Sequence, residues 1–489
     1  MHYGSATPLA FGSGYLHPRF GDLSFPKFDT PDWLGPEPPS QVAEEFQDED
    51  TQMPNTKTTV QPAPLSTAIF GEPALLGSIN VNNETTIPGG AYIQGLTVLD
   101  NLYMRNGTFF VLTSNASKFP SRSDMIAKPL IKAEGISLEP TDQDLQFLPL
   151  TTDVLGGRAI RIDGVSVIVN DPPSTMNNFY NWWGEILFGS WRVYSRLAFE
   201  EKSTPYNLPL PTRFILPAVS RGEWRDDAKM TGPLMRTAFS HIPVEQSDYW
   251  QDLVEMETSV VFERVVLVSR EATYRHPDAG RWLKMISGAT KINVPGDFWQ
   301  PIRDTVVRNV LGYIPILNEV GAVVGPSVAG PSTKPVVTYI SRQDSARRLD
   351  EKDHEGLIDA LRALEQQGIC EFHVLEMERA TLSEQIRLTA KSTILVGVHG
   401  TGLTHQLWMA PSPRSTLLEI VWPEATVFDH EIIARNLGHK HYAVWNDSLV
   451  TYLEGSNYKG VYYGENFDSN AIPVYGPTVA EAIKARLSK

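Results

Sequence analysis

Thr393-Ile394-Leu395-Val396-Gly397-Val398-His399-Gly400-Thr401-Gly402-Leu403 is the stretch on which the fold turns. Its first half, Thr393 to Val398, is a continuous apolar run, the pattern of a strand buried on both faces of a parallel sheet. The second half is a glycine-bearing turn that leads into a helix from about Leu403 to Met409. Upstream, Val336 to Ile340 reads as a strand. A helix begins at Asp350, with Leu357, Ile358, Leu361 and Leu364 on one face, and Phe372 to Leu375 is a second strand. Asp350 fits an N-cap with Asp353 at N3, and Thr381 with Glu384 makes a capping-box start for another helix. Downstream come strand Thr416 to Val421, then a helix carrying Phe428, Ile432, Ile433 and Leu437 that ends at Gly438. Strand His441 to Trp445 follows. This alternation predicts a doubly wound α/β domain.

The rest of the chain divides around that domain. Residues 1–65 are rich in Pro and acid and read as a disordered tail or stem. Residues 66–325 mix strand-like runs (Leu102 to Leu112, Ala159 to Val169, Val260 to Val268) with helical stretches such as Trp182 to Phe199. The Gly-Pro-Ser repeats between Gly321 and Lys334 read as a linker. Residues 326–470 form the α/β domain, and 471–489 contain a last helix expected to pack back on the first domain. Lys+Arg 42 against Asp+Glu 57 give a net charge of −15. That excludes a protein built to neutralise nucleic acid, while leaving room for a local basic pocket. The single cysteine, Cys370, excludes an intrachain disulfide framework and reads as a core residue. Four sequons, at Asn83, Asn106, Asn115 and Asn446, suit a lumenal chain. No apolar run of about 18 residues is present, and the N-terminus does not read as a signal peptide. The expectation is therefore no membrane span in the chain as given, with an N-terminal anchor lost from it as an alternative.

Ligands of open α/β sheets bind at the carboxyl ends of the strands. At the turn His399-Gly400-Thr401-Gly402-Leu403 the glycines allow close backbone approach, and the N–H groups of the next helix offer an anion site. His399 can add a hydrogen bond. Glu419, in the next apolar strand, stands about 20 residues after Gly400, where nucleotide-binding α/β units place a carboxylate on ribose hydroxyls. A further glycine that would complete G-x-G-x-x-G is replaced by His405, which disfavours an NAD(P) oxidoreductase. Ser341 and Arg342 follow the first strand, and Arg347 and Arg348 come next. Their guanidinium forks suit a diphosphate held without a metal.

Ser341-Arg342 with Arg347-Arg348, then Val396 to Thr404, then Leu418-Glu419-Ile420 together resemble the nucleotide-binding half of glycosyltransferase family 61. That family includes O-linked N-acetylglucosaminyltransferases of the endoplasmic reticulum and plant xylosyl- and arabinosyltransferases. The resemblance is clearest over 336–445, and fainter over Asn177 to Tyr194 and Leu102 to Asn115. It implies a GT-B fold of two Rossmann-like domains and a nucleotide-sugar donor in the C-terminal domain. It also implies inversion at the anomeric carbon, no obligatory metal or cofactor, and a secretory-pathway lumen, Golgi or endoplasmic reticulum. If the missing signal is genuine, the location becomes cytoplasmic. The expected activity is transfer of GlcNAc or xylose from a UDP-sugar to a hydroxyl of a protein or glycan acceptor, with no nucleic-acid partner. The family commonly has a histidine in an Asn-x-x-His element; here Asn181 takes that place, and an amide cannot serve as a base. Asp350 also stands where an asparagine is usual. Glu185, four residues beyond Asn181, becomes the candidate base, with pairing to Arg192 as its structural reading.

The D-x-D patterns Asp142-Gln143-Asp144 and Asp48-Glu49-Asp50 lie in polar stretches and read as solvent-facing rather than metal-holding, and His439 with His441 lacks a third ligand. Trp182, Trp183 and Trp191 read as core more readily than as a sugar platform. G-x-S-x-G, H-E-x-x-H and Walker motifs are missing. The alternative function is a catalytically weakened relative that keeps nucleotide or glycan binding.

Overall fold

The computed structural model describes residues 78–81, 83–452 and 460–488; the expected 1–65 tail and the Asp48–Asp50 pattern lie outside them. The first sheet contains β1 (Ser78–Asn80), β2 (Tyr92–Ile93), β3 (Leu96–Arg105), β4 (Thr108–Leu112), β5 (Leu145–Leu148), β6 (Arg158–Val169), β7 (Pro211–Ile215), β8 (Val244–Glu245) and β9 (Val260–Val268). Its order is β5-β4-β3-β9-β6-β7-β8. The half from β9 to β8 is parallel, whereas β3 runs antiparallel to both β9 and β4. The first sheet is thus mixed, a departure from the second Rossmann-like domain expected. The reason is local: Asn106-Gly107, with φ of 51° and 82°, folds the Leu102–Leu112 run into a tight hairpin instead of one strand.

A short hairpin, β10 (Ile316–Leu317) with β11 (Val323–Gly325), replaces the linker and leads into the second sheet. That sheet holds β12 (Val336–Ser341), β13 (Glu371–Glu376), β14 (Ser392–Val398), β15 (Thr416–Ile420), β16 (Lys440–Trp445) and β17 (Ser448–Val450). Its order is β13-β12-β14-β15-β16-β17, parallel except for β17. The doubly wound domain is therefore present, and its strand order reverses between β12 and β14, the place where such sheets open a crevice. Asp350 caps its helix by accepting from Lys352 N–H at 3.0 Å. Asp353 instead accepts from Val474 N–H at 3.0 Å. The Thr381–Glu384 capping box forms as expected, and Cys370 is buried.

The last helix, Gly476–Leu487, corrects the expectation that it returns to the first domain. Val479, Ile483 and Leu487 join the core of Leu357, Leu361 and Leu364 from the helix Glu351–Gln366, on the second sheet. The two backbones meet closely: a Cβ at Gly476 would lie 2.6 Å from Gly356 O. The apolar stripes of these two helices satisfy one another, so no surface is left to seek the first sheet.

The sheets are joined by a shared core. Trp182, Trp183 and Trp191 are all buried in it, as the core reading required. Trp183 meets Trp408 edge-on at 5.3 Å between ring centroids. Trp299 Nε1 donates to Leu407 O at 3.0 Å, and Arg303 Nε donates to Trp408 O at 2.9 Å. Residues 180–187 form a π-helix that runs into the α-helix Phe188–Ser195. Such wide turns tend to accompany functional sites.

Candidate active site

The reversal point of the second sheet gathers most of the residues singled out in the sequence. Ser341 ends β12 and is buried. Arg342 follows it, and its Nη1 donates to His399 O at 2.6 Å, across the gap between β12 and β14. Arg347 Nη1 donates to the same carbonyl at 3.3 Å. The guanidinium of Arg347 also lies 4.3 Å over the Phe467 ring and pairs with exposed Asp468. Burial lowers the Arg342 pKa, and the neighbouring Arg347 charge lowers it further. The two cations held against one oxygen repel each other, and Asp468 offsets the charge of Arg347. Arg348 turns away, donating to Ser345 O at 3.2 Å.

The turn itself depends on glycine. A Cβ at Gly400 would lie 1.5 Å from Arg342 Nη1, so only a hydrogen there lets the guanidinium reach the His399 carbonyl. Thr401 is exposed, Gly402 half-buried and Leu403 buried against β14. The expected α-helix is a 3-10 helix, Thr401–Trp408.

Glu419 is placed differently from a ribose ligand. It is fully buried, and each of its oxygens receives an imidazole: His399 Nδ1 at 2.5 Å and His441 Nε2 at 2.7 Å. Burial alone would raise this carboxyl, but the two histidine hydrogen bonds outweigh it and hold the pKa well below the usual range. Glu419 can therefore act on a ligand only through His399, by fixing the ring with Nε2 left uncommitted to the carboxylate. The His399 ring sits between His430, at 5.5 Å, and Phe467, at 5.0 Å. His430 is buried, and desolvation takes its pKa down to about 4, so it is neutral at pH 7. His399, Glu419 and His430 each bring one ligand atom within 4.8 Å of the others, a spacing that a metal ion could use.

The first sheet faces this cluster through Tyr180, Lys284 and their neighbours. Lys284 Nζ pairs with Asp429 at 2.7 Å, with both side chains nearly buried, and Tyr180 meets the His430 ring edge-on at 5.5 Å. Asn181 is half-buried at the second position of the π-helix, where its N–H points to Asn178 Oδ1 at 3.4 Å. Glu185 is buried and fully engaged: one oxygen pairs with Arg270, and the other accepts from Met285 N–H at 3.0 Å. Arg192, expected as its partner, donates instead to the carbonyls of Ala289 and Ile292.

Asp142 and Asp144 are bound in their own loop, to Arg122 and Thr141, and take no part here. His439 bonds Ser415 at 2.9 Å, whereas His441 belongs to the Glu419 cluster. Sequence reasoning missed His430, Lys284, Asp429 and Arg270, and it weighed His441 only as a metal ligand beside His439. One signal was available for His441: it sits on β16 opposite Leu417, two residues from Glu419 and on the same face.

The second sheet is thus an open α/β sheet whose reversal point collects two guanidinium groups and a glycine turn at its strand ends. The family is given by comparison with known sequences: the model for Glycosyltransferase 61 matches residues 163–416, more than half of the chain, and the chain belongs to that family. It is accordingly a glycosyltransferase, with a sugar donor and a glycan acceptor as its general partners. No curated protein matches it. Members of the family are typically enzymes of the secretory pathway. No helix among the described residues is long and apolar enough to cross a membrane. The matched span runs from β6 to the start of β15 and stops short of Glu419, His430 and His441.

Proposed function

We propose that this chain is an inverting, metal-independent glycosyltransferase that moves a sugar, GlcNAc or xylose, from a UDP-sugar to a hydroxyl of a protein or glycan in the Golgi or endoplasmic reticulum lumen. The observation that carries this reading is the convergence of Arg342 and Arg347 on the His399 carbonyl, beside a turn where a side chain at Gly400 would displace the Arg342 guanidinium. A pyrophosphate relieves the repulsion between the two cations and accepts forked hydrogen bonds from them. His399, oriented by Glu419, adds a hydrogen-bonding ring at the strand end. In the reaction the acceptor oxygen attacks the anomeric carbon from the face opposite UDP. Charge then develops on the leaving phosphate, where these fixed cations are worth most. The two sheets, facing each other through Lys284–Asp429 and Tyr180–His430, take the parts of the acceptor and donor halves of a GT-B enzyme.

A second reading, a weakened relative that binds nucleotide or glycan without transfer, has one observation in its favour: Asn181 is an amide, and both oxygens of Glu185 are occupied. A thermal-shift screen against UDP, GDP, CMP and NAD tests the donor class, because a ligand of the folded form raises Tm. We expect UDP to stabilise most; stabilisation by NAD alone would remove the proposal. Transfer assayed with a panel of UDP-sugars, with and without EDTA, separates enzyme from weakened relative. Loss of activity in EDTA would point to the His399–Glu419–His430 triad as a metal site.

A further inference from the structure

We propose that Asp468 is a built-in placeholder for the donor: its carboxylate occupies the edge of Arg347 that a donor phosphate takes, and donor binding exchanges one anion for the other. The inference rests on the UDP-sugar reading above and deepens it, naming a residue that sets how tightly the site holds UDP.

Every nitrogen of the Arg347 fork already has a partner. Nη1 donates to His399 O at 3.3 Å, Nε donates to Asp468 Oδ1 at 2.9 Å, and Nη2 pairs with the same carboxylate oxygen. Two adjacent N–H groups on one guanidinium edge are what a carboxylate or a phosphate engages, so the two anions compete for one place. Arg342 stands differently. Its Nε donates to Ser345 Oγ at 3.2 Å and its Nη1 to His399 O at 2.6 Å, which leaves Nη2 without a partner among the described residues. A pyrophosphate can therefore meet Arg342 directly, but it can fork onto Arg347 only when Asp468 steps off.

The two members of the pair are held unequally. The Arg347 side chain is 18% exposed and lies over the Phe467 ring, whereas the Asp468 side chain is 80% exposed. The backbone around Asp468 is fixed on both sides. Phe467 is buried against the His399 ring, Ser469 N–H donates to Asn466 O at 3.0 Å, and Ser469 O accepts from Arg348 N–H at 3.3 Å. The carboxylate can thus swing into water and return by rotation of its own side chain, while the segment that carries it stays in place. A carboxylate so exposed regains its hydration on leaving, so the exchange costs little. Its charge also reaches Arg342: burial and the Arg347 charge lower the Arg342 pKa, and Glu378 and Asp468 offset part of that fall. Asp468 therefore compensates the cations while no donor is bound, and takes its place again when UDP departs.

The test titrates UDP calorimetrically into the full chain as wild type, Asp468→Asn, Arg347→Ala and the double variant. We expect Asp468→Asn to tighten UDP binding about two- to fivefold, the scale of one exposed ion pair, with the gain shrinking as salt is raised. In the Arg347→Ala background the same change should have no effect, because the pair it breaks is already gone. Unchanged affinity in Asp468→Asn overturns the proposal, since the pair is then a solvated surface contact and nothing more. Weaker binding overturns it as well, since Asp468 then holds the ligand rather than its place. So does an equal gain in the Arg347→Ala background, which makes Asp468 a general repulsive charge. Asp468→Ala, which removes the amide that Asn could still offer to Arg347, must tighten binding by a similar factor and decides the matter should the Asn variant fail to fold. A wild-type chain that binds no UDP overturns the parent reading, and this inference with it. UDP binding that Arg347→Ala leaves intact removes the role of Asp468 alone and spares the donor class.

Discussion

The two crevices of this molecule, one at each sheet's reversal point, differ in the sign of the charge they leave unspent. Between β12 and β14 the carboxylate is consumed, with Glu419 holding two imidazoles; Arg347 pairs with Asp468, and the Arg342 guanidinium beside it has no carboxylate partner among the described residues. Between β6 and β9 the cation is consumed, with Arg270 paired to Glu185, and a carboxylate oxygen of Asp171 is left over. The difference lies in which side chain receives an internal partner.

The largest effect is expected from Arg270→Met. Removing one member of a buried pair leaves Glu185 charged and uncompensated, which costs about 3–5 kcal/mol of stability. Chemical denaturation should show that loss, while the folded fraction keeps its UDP affinity; a large loss of affinity would blur the contrast between crevices. Arg342→Ala should do the reverse. UDP binding should weaken about 10- to 100-fold, as expected for a charged hydrogen bond of about 1.5–3 kcal/mol, with Tm little changed. Unaltered calorimetric affinity would take Arg342 out of the donor site.

Acid should also separate the two regions. His405, His430 and His439, all on the second sheet's side, have pKa values lowered by burial to about 4. The unfolded chain binds protons there first, so stability is lost as pH falls from about 6.5 toward 4. Asp171, raised to about 6, works the other way between pH 6 and its ordinary 3.8. We expect Tm to fall by several degrees between pH 7 and 5, and further in Asp171→Asn, which lacks the opposing term; a flat profile would contradict the buried neutral histidines. The smallest effect is that of Gly400→Ala. Its methyl should push Arg342 from the His399 carbonyl and weaken UDP binding by less than about tenfold. Affinity equal to wild type would show that the close approach is dispensable.

Much of the second sheet was legible because its five parallel strands are short apolar runs alternating with helices, as at Thr381–Glu384 and Thr393–Val398; the antiparallel edge strand Ser448–Val450 was not. The Arg342–His399 meeting followed from the rule that places sites at strand ends. The mixed first sheet was less legible, since Asn106-Gly107 hid a hairpin inside one apolar run. The packing of the last helix was not legible either, because an apolar stripe does not name the surface that will cover it. Within the site, the partners of Glu419, Glu185 and Asp171 lie between about 20 and 100 residues away in sequence. Spacing along a chain cannot reveal which of them spends the charge.

Because the last helix stays on its own sheet, the main chain of the described residues passes between the halves once, through 312–335. The loop positions Asn318, Glu319 and Ser327 on this strap are exposed. A protease that nicks it would leave two fragments with no covalent tie across the cleft. They would be held by the shared apolar core, with contacts such as Trp183–Trp408, Tyr180–His430 and Trp282–Phe428, the Trp299 and Arg303 hydrogen bonds and the Lys284–Asp429 bridge. The strap is thus a place to cut the molecule and ask how firmly its two halves clasp one another unaided.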